Sequence, residues 1–245
     1  MLLTKLIPPK SNQIKEALSV FNRFLEEPHE NPQERLELLI KGGRGCGKST
    51  IASGMMLKAN QERGDGAICL RRSRKDAIAW DLDYVLWSAE QLGLKDKAQV
   101  SKQIGSLRLD GEAPAMFFKG FDIGLSELRN KVRGIINRRF LWIEDAQEIE
   151  NEEEYGKILD AVDLRENPII ILTYHPPCSQ RNWLNKYAEE IRASQGKFNR
   201  WVFNPCYLNM EKEMLGEQFF EGAEYVRLHS PREFVQEYLG IPQEL

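Results

Sequence analysis

Nine consecutive residues, Gly42-Gly43-Arg44-Gly45-Cys46-Gly47-Lys48-Ser49-Thr50, constrain this chain more than any others, because they satisfy the pattern G-x-x-x-x-G-K-[ST]. A short apolar run, Leu36 to Ile40, leads into them, and a helical pattern (Ile51, Ala52, Met55, Met56, Ala59) leaves them. Strand, glycine loop and helix in that order form a phosphate cradle. The glycines let successive backbone N–H groups, and the positive end of the helix, face an anion. Lys48 is then expected to reach the β and γ phosphates and Ser49 to offer a hydroxyl to Mg²⁺. Gly42, Gly43, Arg44, Gly45, Cys46, Gly47, Lys48, Ser49 and Thr50 are the expected nucleotide-binding set, with ATP and Mg²⁺ as cofactors. Kinases, switches, helicases and translocases all carry such a loop, so the loop alone does not name the work.

A chain of 245 residues, 42% of them hydrophobic, is long enough for one substantial α/β core but not for two. Apolar runs recur at Leu36 to Ile40, Ala67 to Leu70, Phe140 to Ile143, Ile169 to Thr173 and Trp201 to Phe203, with helical patterns between them. This alternation predicts an α/β fold with a mainly parallel central sheet and helices on both faces. After the second run, Ile78, Leu82, Val85, Leu86, Ala89 and Leu92 form a helical stripe ending at Gly93, and Trp80, Tyr84 and Trp87 read as packing residues of that helix. Between Ile104 and Phe118, alternating runs around Asp110-Gly111 predict an inserted antiparallel hairpin. Ser230-Pro231-Arg232-Glu233 carries a capping-box pattern for a last helix running to about Leu239 and stopping at Gly240. The expected organisation is one ATPase domain over 1–245, with an N-terminal helical extension at 1–34, the hairpin insertion at 98–120 and a helical closing segment at 205–245.

The net charge of −3 excludes a protein coated in positive charge, so any nucleic-acid contact falls to local basic patches. Four scattered cysteines, Cys46, Cys69, Cys178 and Cys206, fit reduced thiols rather than disulfides or zinc. No apolar stretch is long enough to span a membrane and no signal-peptide pattern opens the chain, so a soluble intracellular protein is expected.

The second half of the site is read from Phe140-Leu141-Trp142-Ile143-Glu144-Asp145, where an apolar strand ends abruptly in two carboxylates. Glu144 is assigned to the magnesium shell and Asp145 to the attacking water. The same two residues open an acidic run through Glu148, Glu150, Glu152, Glu153 and Glu154, the composition of a solvated helix start. The spacing of the motifs leaves room for another strand between the loop strand and the carboxylate strand, the arrangement of ASCE-type P-loop motor ATPases.

Taken in order, several segments resemble the N-terminal packaging ATPase domain of the large terminase subunits of tailed bacteriophages. Lys41 to Ser49 looks like that family's arginine-bearing loop, with Cys46 where serine or alanine is usual. Ile68-Cys69-Leu70-Arg71-Arg72 resembles its second strand, and Phe140 to Ala146 its carboxylate strand. Thr173-Tyr174-His175-Pro176-Pro177, followed by Asn182-Trp183, resembles its coupling motif, and Phe203 to Leu208 with Glu233 to Gly240 look like its closing segments. The resemblance implies a motor that drives double-stranded DNA into a procapsid in the cytoplasm of the infected bacterial host. Its implied partners are the portal protein, a small terminase subunit and further copies of the chain in a ring. Thr173 and His175 would be coupling or sensor residues, His175 standing where the family has asparagine; the plainer reading is a loop histidine before a rigid Pro-Pro. Asp145 stands where the family has glutamate, one methylene longer. The resemblance ends at Gly240, so the nuclease part of the family, and DNA cleavage with it, is not expected here.

Ring motors commonly complete hydrolysis with an arginine at the γ-phosphate. Arg44 is the candidate in cis, and Arg129, Arg133, Arg138 and Arg139 are candidates in trans, ordinary surface charge being the alternative for each. Arg71, Arg72, Arg74 and Lys75 would lie at the nucleotide edge or on DNA phosphates. Lys95, Lys97 and Lys102 are too dispersed to assign. The motifs also fit another DNA-stimulated ASCE ATPase, such as a helicase or maturation factor, or a slow nucleotide-binding assembly module, with a phosphoryl-transfer kinase less favoured.

Overall fold

The computed structural model describes residue 6, residues 11–109 and residues 115–243. Its strands are β1 (Leu36–Lys41), β2 (Gly66–Arg71), β3 (Ala98–Ser101), β4 (Ser106–Leu109), β5 (Met116–Gly120), β6 (Arg138–Glu144), β7 (Ile169–Tyr174) and β8 (Arg200–Phe203). Its helices are α1 (Asn12–Glu26), α2 (Lys48–Arg63), α3 (Arg74–Asp76), α4 (Leu82–Gln91), α5 (Leu125–Val132), α6 (Glu152–Val162), α7 (Trp183–Ala193), α8 (Lys212–Leu215), α9 (Glu217–His229) and α10 (Pro231–Glu237), with a π-helical turn, Ala77–Asp81, joining α3 to α4.

The eight strands form one sheet in the order β3-β4-β5-β2-β6-β7-β1-β8. From β5 to β8 every pairing is parallel, while β3 and β4 add on antiparallel at one edge. A parallel sheet is buried on both faces, which is why its strands read as continuous apolar runs. Alternate residues still divide between two cores. Leu38, Ile40, Cys69, Phe140, Trp142 and Ile171 pack under α1, α2 and α4. Leu39, Ile68, Leu141, Ile143, Ile170 and Leu172 pack under α5, α6 and α7. Each large apolar side chain buried this fully contributes about 1.5–3 kcal/mol, so these two layers hold the sheet ends rigid. A third, smaller cluster of Tyr207, Ala223, Phe234 and Tyr238 ties the C-terminal helices together.

The strand separating the phosphate-loop strand from the carboxylate strand is β7, whereas the run Ala67 to Leu70 forms β2 on the far side of β6. The expected hairpin is present as the antiparallel pair of β4 and β5, with Ser106 opposite Phe117; its Asp110-Gly111 turn lies outside the described residues. Two expectations fail. Trp80 and Trp87 are 66% and 41% exposed and do not pack in the core. Leu82, Val85, Ser88 and Ala89 form the buried face of α4; Trp87 lies on the other side of the helix, Trp80 stands on the preceding π-helical turn, and Tyr84, at the margin of the buried face, bonds to Thr50. Ser230 does sit at the N-cap with Pro231 inside the first turn, but its side chain makes no capping bond, and α10 ends at Glu237. The Ser230 N–H is already donated to Val226 of α9, so no capping box closes.

Candidate nucleotide-hydrolysis site

Parallel pairing brings the C-terminal ends of β1, β2, β6 and β7 to one edge of the sheet, where ligands bind in folds of this kind. The Gly42–Gly47 loop follows β1 there. Gly47 adopts φ 82° as the N-cap of α2 and no side chain caps that helix, which leaves its first N–H groups free to receive an anion. Gly43 is required by proximity, since a Cβ there would overlap the Tyr238 carbonyl oxygen. Lys48 folds back on the loop, with Nζ 3.3 Å from the Gly43 oxygen. Cys46 is buried, and burial pushes its thiol pKa up, which makes it a packing group rather than a nucleophile. The Thr50 hydroxyl lies 2.6 Å from the Tyr84 hydroxyl of α4, tying the start of α2 to that helix.

Glu144 ends β6 almost fully buried. The Ser49 hydroxyl donates to its Oε1 at 2.6 Å, and the Thr173 hydroxyl, one strand over, donates to its Oε2. Trp142 Nε1 in turn donates to Thr173 Oγ1 at 2.6 Å, which fixes the threonine rotamer. The loop, the carboxylate strand and the coupling strand therefore meet on one side chain. Both donors are neutral hydroxyls, and among the described residues no ion pair joins Glu144 to a cation. A buried carboxylate left in that condition is suited to an external cation, so Ser49 and Glu144 fit Mg²⁺. No cluster of three or more His, Cys, Asp or Glu that could hold a metal by itself occurs among the described residues.

Asp145 follows with φ 52° and ψ 46°, a left-handed conformation that turns its carboxylate off the line of the strand. Its Oδ2 is ion-paired with Arg71 Nη2, and Gln147 Nε2 donates to its Oδ1 at 3.1 Å. Arg71 also reaches Asp81, Nη1 to Oδ1 at 3.3 Å. Burial, and then the Glu144 charge, push the Asp81 carboxyl up to about 8, with Arg71 and the Cys69 thiol opposing the shift and Asp76 adding to it. The Gln147 Oε1 accepts the His175 backbone N–H at 3.1 Å, so one amide connects Asp145 to the segment after β7. Sequence reasoning missed Gln147; its position two residues after Asp145 was the available signal. The His175 ring lies with Nε2 3.8 Å from Glu237 Oε1, and burial draws its pKa below the ordinary value.

The C-terminal segment closes on this edge. Arg44 N–H donates to the Glu237 oxygen at 2.7 Å, Gly240 packs against the Gly42–Gly43 backbone, and the Phe219 ring covers Gly45. The Arg44 side chain itself is exposed.

A family model described as phage terminase large subunit matches residues 34–205. The chain belongs to that family. A search of curated protein sequences returned no match. Among solved structures, the large terminase of a thermophilic bacteriophage in complex with ADP superposes with a TM-score of 0.68 at 10% identity, covering 96% of this chain and 54% of that one. The bacteriophage HK97 large terminase gives 0.67 at 12% identity, over 95% and 50%. A Thermus phage large terminase ATPase domain gives 0.53 at 17% identity, over 94% and 97%. The chain thus spans about half the length of the first two and nearly all of the third, and shares their fold.

Seen as a terminase, the chain places its other arginines unevenly. Arg138, a candidate to reach a neighbouring subunit, is buried at the start of β6, at the opposite end of the sheet. Its guanidinium bonds to the carbonyls of Val132, Arg133, Ile135 and Asp163 and pairs with the Asp163 carboxylate, so it is committed within its own chain. That assignment is corrected: Arg138 is structural. Arg139 is half-buried beside Asp65, while Arg129 and Arg133 are exposed on and after α5. In the second basic group, Arg71 is turned into the site, Arg72 meets the Glu148 carbonyl and the Glu150 carboxylate, Arg74 bonds to the Gln103 carbonyl, and Lys75 is exposed.

Proposed function

We propose that this chain is the ATP-hydrolysing motor domain of a terminase large subunit, driving double-stranded DNA into a procapsid. The observation that carries the reading is the Ser49–Glu144 hydrogen bond, which joins phosphate loop and carboxylate strand across the intervening β7. One structural relative, the N-terminal domain of the DNA packaging ATPase from bacteriophage phi29, supports it; that domain superposes at TM-score 0.50 with 17% identity, over 74% of this chain and 98% of its own.

In this reading the N–H groups of the loop and of the start of α2 bind the β and γ phosphates of ATP, and Lys48 leaves the Gly43 carbonyl to join them. Ser49 and Glu144 would hold Mg²⁺, which would supply positive charge to neutralise the phosphates. Asp145 orients the attacking water and accepts its proton, and Arg44 stabilises charge developing on the γ-phosphate. Thr173 and His175 carry the change at the γ-phosphate outward, through Glu144 and through Gln147. Arg129, Arg133 and Arg139 are the candidates to act on a neighbouring copy in a ring on the portal protein, with a small terminase subunit as recognition partner. Residues 1–34, 98–120 and 205–245 are appendages of one ATPase domain.

The test is steady-state ATP hydrolysis with and without double-stranded DNA, and DNA packaging with procapsids bearing portal. Lys48→Ala is expected to abolish both; unchanged turnover would remove the loop from the mechanism. DNA-stimulated hydrolysis with no uptake into procapsids would favour a helicase or maturation factor instead.

A further inference from the structure

Of the buried acids that the hydrolytic mechanism leaves unused, Glu37, Asp65 and Asp81, the last is joined through Arg71 to the site. Asp81 closes the π-helical turn Ala77–Asp81, where the Leu82 N–H reaches back to the Ala77 oxygen rather than to the Ile78 oxygen that an α-helix would use. The widened turn faces Ala77, Asp81 and Leu82 inward together. The Asp81 side chain is 5% exposed, its Oδ2 has no N–H or O–H partner, and the nearby Cys69 thiol is only a weak donor. A buried carboxylate with one oxygen so poorly satisfied is costly to keep, and nothing in the packing of α4 demands one. What Asp81 does touch is Arg71, and Arg71 spans from it to Asp145 with its two terminal nitrogens.

We propose that Asp81 is a positioning residue for the hydrolytic site, anchoring one nitrogen of Arg71 so that the other sets the orientation of the Asp145 carboxylate. The geometry suits this role. A guanidinium is planar with its nitrogens in a fixed fork, so seating Nη1 on a rigid, buried acceptor fixes where Nη2 points. Asp81 is carried by a helix packed on α2 and the sheet, whereas Asp145 stands in a left-handed turn and needs a partner to hold one rotamer. The chain has a short side chain at position 145, and a fixed Arg71 limits how far that carboxylate can wander from the water it serves. The inference rests on the reading of Asp145 as the water-orienting group.

The experiment measures kcat and KM for ATP, and the thermal midpoint, for Asp81→Leu and Asp81→Asn. Asp81→Leu removes the acceptor at similar volume and is expected to lower kcat about tenfold, with KM unchanged and the midpoint not lowered. Asp81→Asn keeps an oxygen for Arg71 Nη1 and is expected to retain kcat within about twofold. Should Asp81→Leu not fold, Asp81→Ser, whose shorter side chain cannot reach Arg71, is read in the same way. Unchanged kcat in the variant lacking the acceptor overturns the proposal, as does a parallel loss of kcat, ATP affinity and thermal midpoint, which marks a purely structural residue. Asp145→Asn serves as the separate control. If it turns over normally, the reading of Asp145 fails and takes the inference with it; if it is inactive while Asp81→Leu is fully active, only the role of Asp81 falls.

Discussion

Two carboxylates lie buried in the same sheet, Glu37 on β1 and Glu144 at the end of β6, and they are answered differently. Glu37 is fully enclosed, with the Tyr155 and Tyr187 hydroxyls each 2.7 Å from Oε1 and with Arg35 and Arg200 at 3.4 and 3.1 Å from Oε2. Its charge is cancelled inside the chain by two guanidinium groups. Glu144 receives two hydroxyls, from Ser49 and Thr173, and no cation among the described residues. Burial therefore does not distinguish a structural acid from a chemical one; the donors do. A carboxylate whose neighbours are neutral has its charge available to a metal bound with substrate, while one locked between arginines has nothing left to give.

The largest effect expected from this contrast is on turnover. Glu144→Gln should lower kcat by about 10²–10³-fold, with the folded state as stable as the parent by urea unfolding, a loss second only to that of Lys48→Ala. Chelating divalent cations with EDTA should abolish hydrolysis by the parent chain in the same assay. Glu37→Gln should do the reverse, leaving kcat intact while lowering unfolding free energy by about 3 kcal/mol, because the neutral amide removes the charge that pairs with Arg35 and Arg200. Equal rate losses in the two variants would break the distinction.

Much of the candidate site was legible in the sequence. The loop and the carboxylate strand are local patterns, in which a few neighbouring residues specify both conformation and chemistry. Thr173 could be named through family resemblance, although its bond to Glu144 depends on the parallel register of β6 and β7. What stayed hidden depends on direction or on long-range contact. Arg71 reads as a basic residue for phosphates, yet it meets an acid 74 residues away. Arg138 and Glu144 share one strand, and the sequence does not show that one end of it faces the site while the other is plugged with carbonyls. The aromatic residues of the π-helical turn and α4 keep helical spacing on either face, so spacing alone did not say that Trp80 and Trp87 point outward. The Ser230 pattern was right in type and position, and failed because a helix packed just ahead of it had already taken the N–H the capping box needs.

Asp81 offers an intermediate case, a buried acid with one guanidinium that is shared. Its carboxyl is pushed up to about 8 by burial first and the Glu144 charge second. A raised folded value means that the native state holds the proton more tightly than the unfolded chain, whose aspartates titrate near about 3.9. The stabilising contribution is thus complete below about pH 4 and lost as pH rises toward 8, on the order of a few kcal/mol at most. Asp81→Asn, which mimics the neutral acid, should flatten this part of the stability curve and be more stable than the parent at pH 8 but not at pH 4. A parent curve that rises from pH 4 to 8 at this site would mean that the Arg71 pair outweighs burial, moving Asp81 toward the Glu37 type.

The finest test removes one hydroxyl from each carboxylate's surroundings or loosens it. Tyr187→Phe deletes one of two phenols on Glu37 and keeps the ring that Arg200 stacks over at 4.8 Å. With Tyr155 and both arginines still in place, the loss should be about 1 kcal/mol of stability and no change in kcat. Thr173→Ser keeps the hydroxyl that joins Trp142 to Glu144 but drops the methyl that helps fix its rotamer. Here the expected change is smaller still in stability, under about 1 kcal/mol, and it should fall on kcat instead, by about two- to fivefold. The direction matters more than the size. If Tyr187→Phe slows hydrolysis, Glu37 is coupled to the site through β1 and the loop that follows it. If Thr173→Ser leaves kcat untouched, Ser49 alone is enough to hold Glu144 in place for the metal.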